Sequence, residues 1–290
     1  MKKIMFALEF YDHAPKVFKY AAKMAYAFKA DLLMMHAHGK PEPMRSSDQM
    51  IEERHDKVIE KLKDFVNEHL PENYHGKLKI DYLAVNAYPL DGILDTALDE
   101  KVELIVMGMT GKTNALGSKL GNTTLSVLAQ ADCQVLMVPE GATFTGINDL
   151  LYTVDFEFRD LQAIHYLKDW SQTLDAVLHV LHVVEGDEEN LDVLKKMMIL
   201  KKTFKMDTAI DFDLRFGHFR TEIEQFARGK KADIVAMISH KHNFISRLLD
   251  DSSLEAIATE IELPLLVIKE DAYEFDEAAL QWVEFLKSIA

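Results

Sequence analysis

The chain has 290 residues, 48 % hydrophobic and 28 % charged, which is the composition of folded protein and enough length for two domains with cores of their own. Its formal net charge of -15 excludes a surface built to neutralise a nucleic-acid backbone and argues equally against a basic membrane-facing patch. The single cysteine, Cys133, excludes an internal disulfide and a cysteine-based zinc cluster, and suits a reducing cytoplasm.

The opening MKKIMFALEF places lysines before an apolar run, as a secretory leader does. Glu9 interrupts that run, however, and no small-residue cleavage site follows. No stretch approaches the length needed to cross a bilayer, so the expected location is cytoplasmic, with no membrane partner. KIMFALEF therefore reads as a first strand, followed in order by DLLMMHAH, LKIDYLAV, ELIVMGM and CQVLMVP. Between them HAPKVFKYAAKMAYAFKA, DQMIEERHDKVIEKLKDFVNEHL, PLDGILDTALDEK and NTTLSVLAQA carry helical periodicity. Continuous apolar strands alternating with helices predict a parallel sheet covered on both faces.

The second half repeats the order in DLLYTVDF, AVLHVLHVVE, TAIDFDLRF, DIVAMIS and PLLVIKE. Glu9 aligns with Asp155 and His36 with His182, 146 positions apart, with Phe10/Phe156, Tyr20/Tyr166 and Leu32/Leu178 identical in that register. The closing unit aligns at the shorter spacing of Glu103 with Asp233 and Met107 with Met237. The expected organisation is a first domain over residues 1–141, a second over 147–270, and a C-terminal amphipathic helix over 271–290. In that last segment Phe275, Ala279, Trp282, Phe285, Leu286 and Ile289 form one stripe. Such a stripe suits docking on its own domain or a partner contact.

The stretch from Leu104 to Leu128 contains Gly111-Lys112-Thr113, the ending of a P-loop. The glycine a P-loop requires five positions earlier is here Val106, so the motif fails. The dinucleotide fingerprint fails too, since Gly108 and Gly111 are separated by two residues and the third glycine is misplaced. What remains is Gly108-x2-Gly111-x9-Gly121, followed by Asn122, Thr123 and Thr124 and an apolar helix. Gly108 at a strand end lets a ligand press on the backbone, and Gly111 can turn the chain. The helix after Gly121 offers unpaired N–H groups and a positive end to an anion, with Asn122, Thr123 and Thr124 as caps. Lys112 and Lys119 add positive charge.

On these residues the sequence resembles the universal stress protein family, over both halves. Gly108, Gly111 and Gly121 match that family's nucleotide loop at full spacing; DCQVLMVP resembles its closing strand and DAVLHVLHVVE its second. The resemblance implies an α/β fold of two tandem Rossmann-like domains, of the adenine nucleotide alpha-hydrolase-like type. Each would be a five-stranded parallel sheet in the order 3-2-1-4-5 with helices on both faces. It further implies ATP or AMP as ligand, with or without magnesium, and a role in stress response. Carried over by position, Met107, Gly108, Gly111, Gly121, Asn122 and Thr123 would line the phosphate and ribose, while Ala7, Glu9 and Ala37 would approach adenine and ribose. Glu9 stands where the family has aspartate, and Asn122 where it has Ser or Thr. In the second half the glycine positions become Ile238, Lys241 and Asp251, with Ser252 and Ser253 kept, so one nucleotide site per chain is expected. The closing strands of such domains often pair, which implies a pseudo-dimer of the two halves across 133–138 and 264–268, and leaves a homodimer open.

Three other features of the sequence bear on function. His36-x-His38, His179-x2-His182 and His240-x-His242 invite a metal, but no carboxylate or cysteine stands at ligand spacing, and packed or solvent-facing histidines are expected instead. LKKMMILKKTFK reads as an amphipathic helix with a basic face. No activated nucleophile or general base is arranged against a phosphate, so slow ATP hydrolysis is the most catalysis the sequence suggests. A nucleotide-independent scaffold or chaperone-like role is the remaining alternative.

Overall fold

The computed structural model describes residues 1–39, 48–109, 121–156, 159–186, 191–204, 207–239 and 263–269. The chain divides into two compact units, Met1–Gly146 and Ile147–Ala290. In the first, β1 (Lys3–Ala7), β2 (Asp31–Ala37), β3 (Ile80–Val85), β4 (Leu104–Gly108) and β5 (Gln134–Val138) alternate with α1 (Ala14–Phe28), α2 (Asp48–His69), α3 (Pro89–Asp99) and α4 (Asn122–Gln130). The strands are parallel, in the order β3-β2-β1-β4-β5. In the second, β6 (Asp149–Thr153), β7 (Val177–Val184), β8 (Ile210–Phe216), β9 (Ile234–Ser239) and β10 (Leu265–Lys269) take the equivalent order β8-β7-β6-β9-β10, again parallel. Its described helices are α5 (Asp160–Leu174), α6 (Leu191–Thr203) and α7 (Phe219–Lys230).

The order follows from the apolar pattern. β4 and β5 are buried along their whole length, and in β1 only Lys3 escapes, because helices cover both faces of a parallel sheet. IDYLAV and IDFDLRF carry charge within the strand, and they form β3 and β8 at the ends of the orders, where one side is less covered. Right-handed crossovers put α1 and α2 on one face and α3 and α4 on the other, and the contacts of α1 with α2 and of α3 with α4 agree. α1 starts with Pro15 in its first turn and buries Val17, Phe18, Ala21, Met24, Ala25 and Phe28 against β1, β2 and β4.

The internal repeat holds at the level of single backbone hydrogen bonds. Leu8 N–H donates to Met35 O and Val154 N–H to Leu181 O; Ala30 donates to Ala25 and Ala176 to Ser171; Val102 donates to Ala97 and Ala232 to Ala227. Even the left-handed residues at helix ends recur, Lys29 with Asp175 (φ 53° and 56°) and Lys101 with Lys231 (φ 52° and 57°). Glycine is the usual residue there, so the shared geometry is set by the packing of each helix end on its strand.

Two readings shift. The first strand of each unit stops at Ala7 and Thr153, short of the predicted Phe10 and Phe156, because the chain leaves the sheet after Leu8 and Val154 make their last sheet bonds. LKKMMILKKTFK starts inside α6, which begins three residues earlier at Leu191. The tail stripe of 271–290 lies outside the described residues. Among the described residues no helix is long and apolar enough to cross a membrane.

Candidate functional site

The carboxyl ends of β1, β2 and β4 meet the start of α4 in the first unit. Parallel pairing brings Ala7 beside Met35 and Gly108 beside Val138, so the chain after β1 emerges between the ends of β2 and β4. There residues 8–14 fold tightly: Tyr11 N–H donates to Glu9 O at 2.8 Å and Ala14 N–H to Tyr11 O at 3.0 Å. This turn aims Glu9 and Tyr11 across the strand ends.

The Glu9 carboxylate accepts a hydrogen bond from the Thr123 side chain in the first turn of α4, and His36 lies close to it. Burial outweighs both and holds the carboxyl above the usual carboxylate range. Glu9 is one methylene longer than aspartate, and that arm spans from the end of β1 to α4. Tyr11 turns towards Gly108 and hydrogen-bonds with its backbone. A Cβ on Gly108 would overlap the Tyr11 hydroxyl, with Tyr11 Cζ at 2.9 Å and Val17 Cγ2 at 3.2 Å. Gly108 therefore lacks a side chain in favour of Tyr11. Burial first, and the neighbouring Glu9 second, push the phenol far above its usual range, so it stays neutral.

Two histidines brace the turn. His36 Nδ1–H donates to Leu8 O at 2.7 Å and its ring meets Phe10 edge-on at 4.9 Å. His13 Nε2–H donates to Met109 O at 3.1 Å and packs on Tyr11 at 4.2 Å between ring centres. Phe10 itself is 52 % exposed at the mouth.

α4 begins at Asn122 with Gly121 as its N-cap, in extended backbone (φ -64°, ψ 152°) and with no side-chain cap bond. This corrects the capping role expected of Asn122, Thr123 and Thr124: they lie one, two and three positions past the cap, inside the helix, and Thr123 instead serves Glu9. Met107 and Ala7 are buried, and Ala37 is half-buried. Ala37 packs against α3, where a Cβ on Gly92 would lie 3.0 Å from the Ala37 Cβ. The structure thus brings Glu9 to Thr123 in the first turn of α4, next to Gly121 and Asn122, while Ala7, Ala37, Met107 and Gly108 stand at the carboxyl ends of β1, β2 and β4. Gly111, Lys112 and Lys119 lie outside the described residues. Sequence reasoning missed Tyr11 and His13. The available signal was a bulky aromatic four residues past the central strand, with a glycine ending the neighbouring strand.

The equivalent place in the second unit differs. Ile238, the last residue but one of β9, stands where Gly108 ends β4, and it is half-buried beside Ile268. His182 repeats its counterpart, Nδ1–H donating to Val154 O at 2.6 Å, and burial lowers its pKa, so the ring stays neutral. Phe156 stacks on His182 at 4.4 Å, but in left-handed backbone (φ 59°) and only 4 % exposed. Asp155 is left exposed. Lys241, Asp251, Ser252, Ser253, His240 and His242 lie outside the described residues. Of the other histidines, His179 is buried and bonded to Asp149 at 2.8 Å. Among the described residues no cluster of His, Cys, Asp or Glu has the form of a metal site.

Two doubly wound α/β domains of the same strand order, in one chain, define a duplicated Rossmann-like protein. The sequence model of the universal stress protein family matches residues 1–139 and again 147–269. The chain belongs to the universal stress protein family and carries its domain twice. The universal stress protein in the QAH/OAS sulfhydrylase 3' region of Thermus aquaticus is 34 % identical over 138 residues, covering 47 % of this chain and 98 % of its own. A universal stress protein from Archaeoglobus fulgidus DSM 4304 superposes with a TM-score of 0.71 at 16 % identity, over 92 % of this chain and 96 % of its own. A protein of Pseudomonas aeruginosa UCBPP-PA14 gives 0.59 at 17 % identity, over 99 % and 98 %. At these identities the two structures share the fold.

Proposed function

We propose that the first domain binds one adenine nucleotide per chain, ATP or AMP, and that occupancy regulates a stress-response partner. The observation that supports this most is the convergence of three backbone features on one crevice: Gly108 at the end of β4, Gly121 at the start of α4, and the turn after β1 that carries Glu9. The first-turn N–H groups of a helix have no partner within the helix and favour phosphate, and the carboxyl ends of the strands are where parallel α/β sheets take ligands. The second domain, with Ile238 in place of the strand-end glycine, serves as a structural or regulatory partner. Signalling then requires the nucleotide to bind two conformations of the chain unequally.

The test is calorimetric titration of the full chain with ATP and with AMP, with and without magnesium, beside Gly121→Asp. Saturable binding at about one site per chain, lost in the variant because a carboxylate at a helix start repels phosphate, is the expected result. Binding that survives Gly121→Asp unchanged would move the site elsewhere.

A further inference from the structure

Both positions a nucleotide would need in the first domain already have an occupant from the chain itself. The open face of Gly108 is filled by the Tyr11 phenol, whose hydroxyl stands where a Cβ would be and hydrogen-bonds with the Gly108 backbone. The first turn of α4, where an anion would sit, has the carboxylate of Glu9 on Thr123. A ring and a carboxylate are the shape and the charge of the ligand's own parts. Both come from the single turn of residues 8–14, pinned by His36 on Leu8 O and by His13 on Met109 O. One movement of that turn would withdraw both.

We infer that Tyr11 and Glu9 form an internal stand-in for the ligand, so that nucleotide binds by displacing the turn after β1 and the strength of that latch sets the affinity. This rests on the nucleotide reading of the same crevice. Apparent affinity falls by the fraction of molecules whose latch is open. Loosening it therefore tightens binding, the reverse of what loss of a ligand contact does. The second domain shows the fixed form: Phe156 is turned inward and Ile238 stands in the place of Gly108, so there is no glycine face to release.

The experiment compares the full-length wild type with Tyr11→Phe and Tyr11→Ala, titrated with ATP and AMP. Tyr11→Phe keeps the ring and removes one hydroxyl, and is expected to bind about fivefold more tightly, the equivalent of one net hydrogen bond. Tyr11→Ala, checked for intact folding by thermal unfolding, is expected to bind more tightly again. In the wild type, saturating nucleotide should speed the nitration of Tyr11 followed by peptide mass spectrometry, because the displaced phenol meets solvent. Wild-type binding with equal or weaker affinity in both variants, or nitration slowed by nucleotide, overturns the latch and leaves the nucleotide reading standing. Binding by Tyr11→Ala alone would support both. Absence of binding in all three proteins overturns the nucleotide reading, and the latch with it.

Discussion

Gly108 in β4 and Ile238 in β9 hold the same place in two copies of one domain, and they differ in residue type. Gly108 leaves room for Tyr11, whereas Ile238 fills its own space. The turns that follow β1 and β6 diverge accordingly. Phe10 stands half out of the surface, and Phe156 is folded inward in a backbone region that non-glycine residues rarely adopt. Around them the two copies agree down to the histidine that bonds the first residue beyond the strand. The scaffold of the crevice and its contents are thus separable: duplication has preserved the hydrogen bonds that shape the strand ends while the side chains that decide access have gone separate ways.

The comparison is broken most directly by exchanging its contents. Phe156→Ala removes a buried ring from the second domain and is expected to cost about 3 kcal/mol in denaturant unfolding, through lost burial and the cavity left behind. Phe10→Ala, at the half-exposed equivalent, should cost about 1 kcal/mol or less, chiefly its edge contacts with His36 and Phe65. If the two losses came out equal, the claim that one turn is packed and the other poised would fail. Copying the second domain into the first by Gly108→Ile is expected to destabilise by about 2 kcal/mol, the cost of overpacking against Tyr11, and to abolish nucleotide binding. Adding Tyr11→Ala should return part of that stability but none of the binding, since the isoleucine then fills the crevice itself.

The smallest effect is one of pH. Glu9 ordinarily titrates near 4.5, and burial raises it in the folded chain. Between those two values the folded state holds a proton that the unfolded state has released, so stability contributed by the protonated form is lost as pH rises through the raised value. Unfolding curves of the wild type and Glu9→Gln, measured from pH 4 to pH 8, should therefore diverge in favour of the variant as pH rises. Parallel curves would mean that Thr123 and His36 compensate fully for burial.

The fold was legible because its signals are collective. Five apolar runs per half, the charged residues of IDYLAV and IDFDLRF, and an opening unit that recurs 146 positions on each state the same topology. Gly108 and Gly121 were legible from their spacing alone. The function of the space above Gly108 was not, because no spacing rule says whether a glycine makes room for a ligand or for a neighbour in the same chain. Only Tyr11 in place decides that. Glu9 stood out in the sequence only as a departure from aspartate; that its extra methylene reaches Thr123 needed the structure. Asn122 read as a cap because it follows the glycine, whereas the helix begins one residue earlier than that role requires.

The left-handed helix ends offer an engineering handle. Lys29, Asp175, Lys101 and Lys231 each hold a conformation that glycine enters freely and that costs other residues about 1 kcal/mol. All four lie at the amino-terminal side of the sheets, opposite the crevice, and distant positions add nearly independently. A chain carrying glycine at these four ends would gain the strain relieved less the entropy that glycine adds to the unfolded chain, a reserve that offsets part of the loss in Gly108→Ile or Phe156→Ala. Crevice variants too fragile to purify could then be titrated in that fortified background, and folding defects told apart from binding defects.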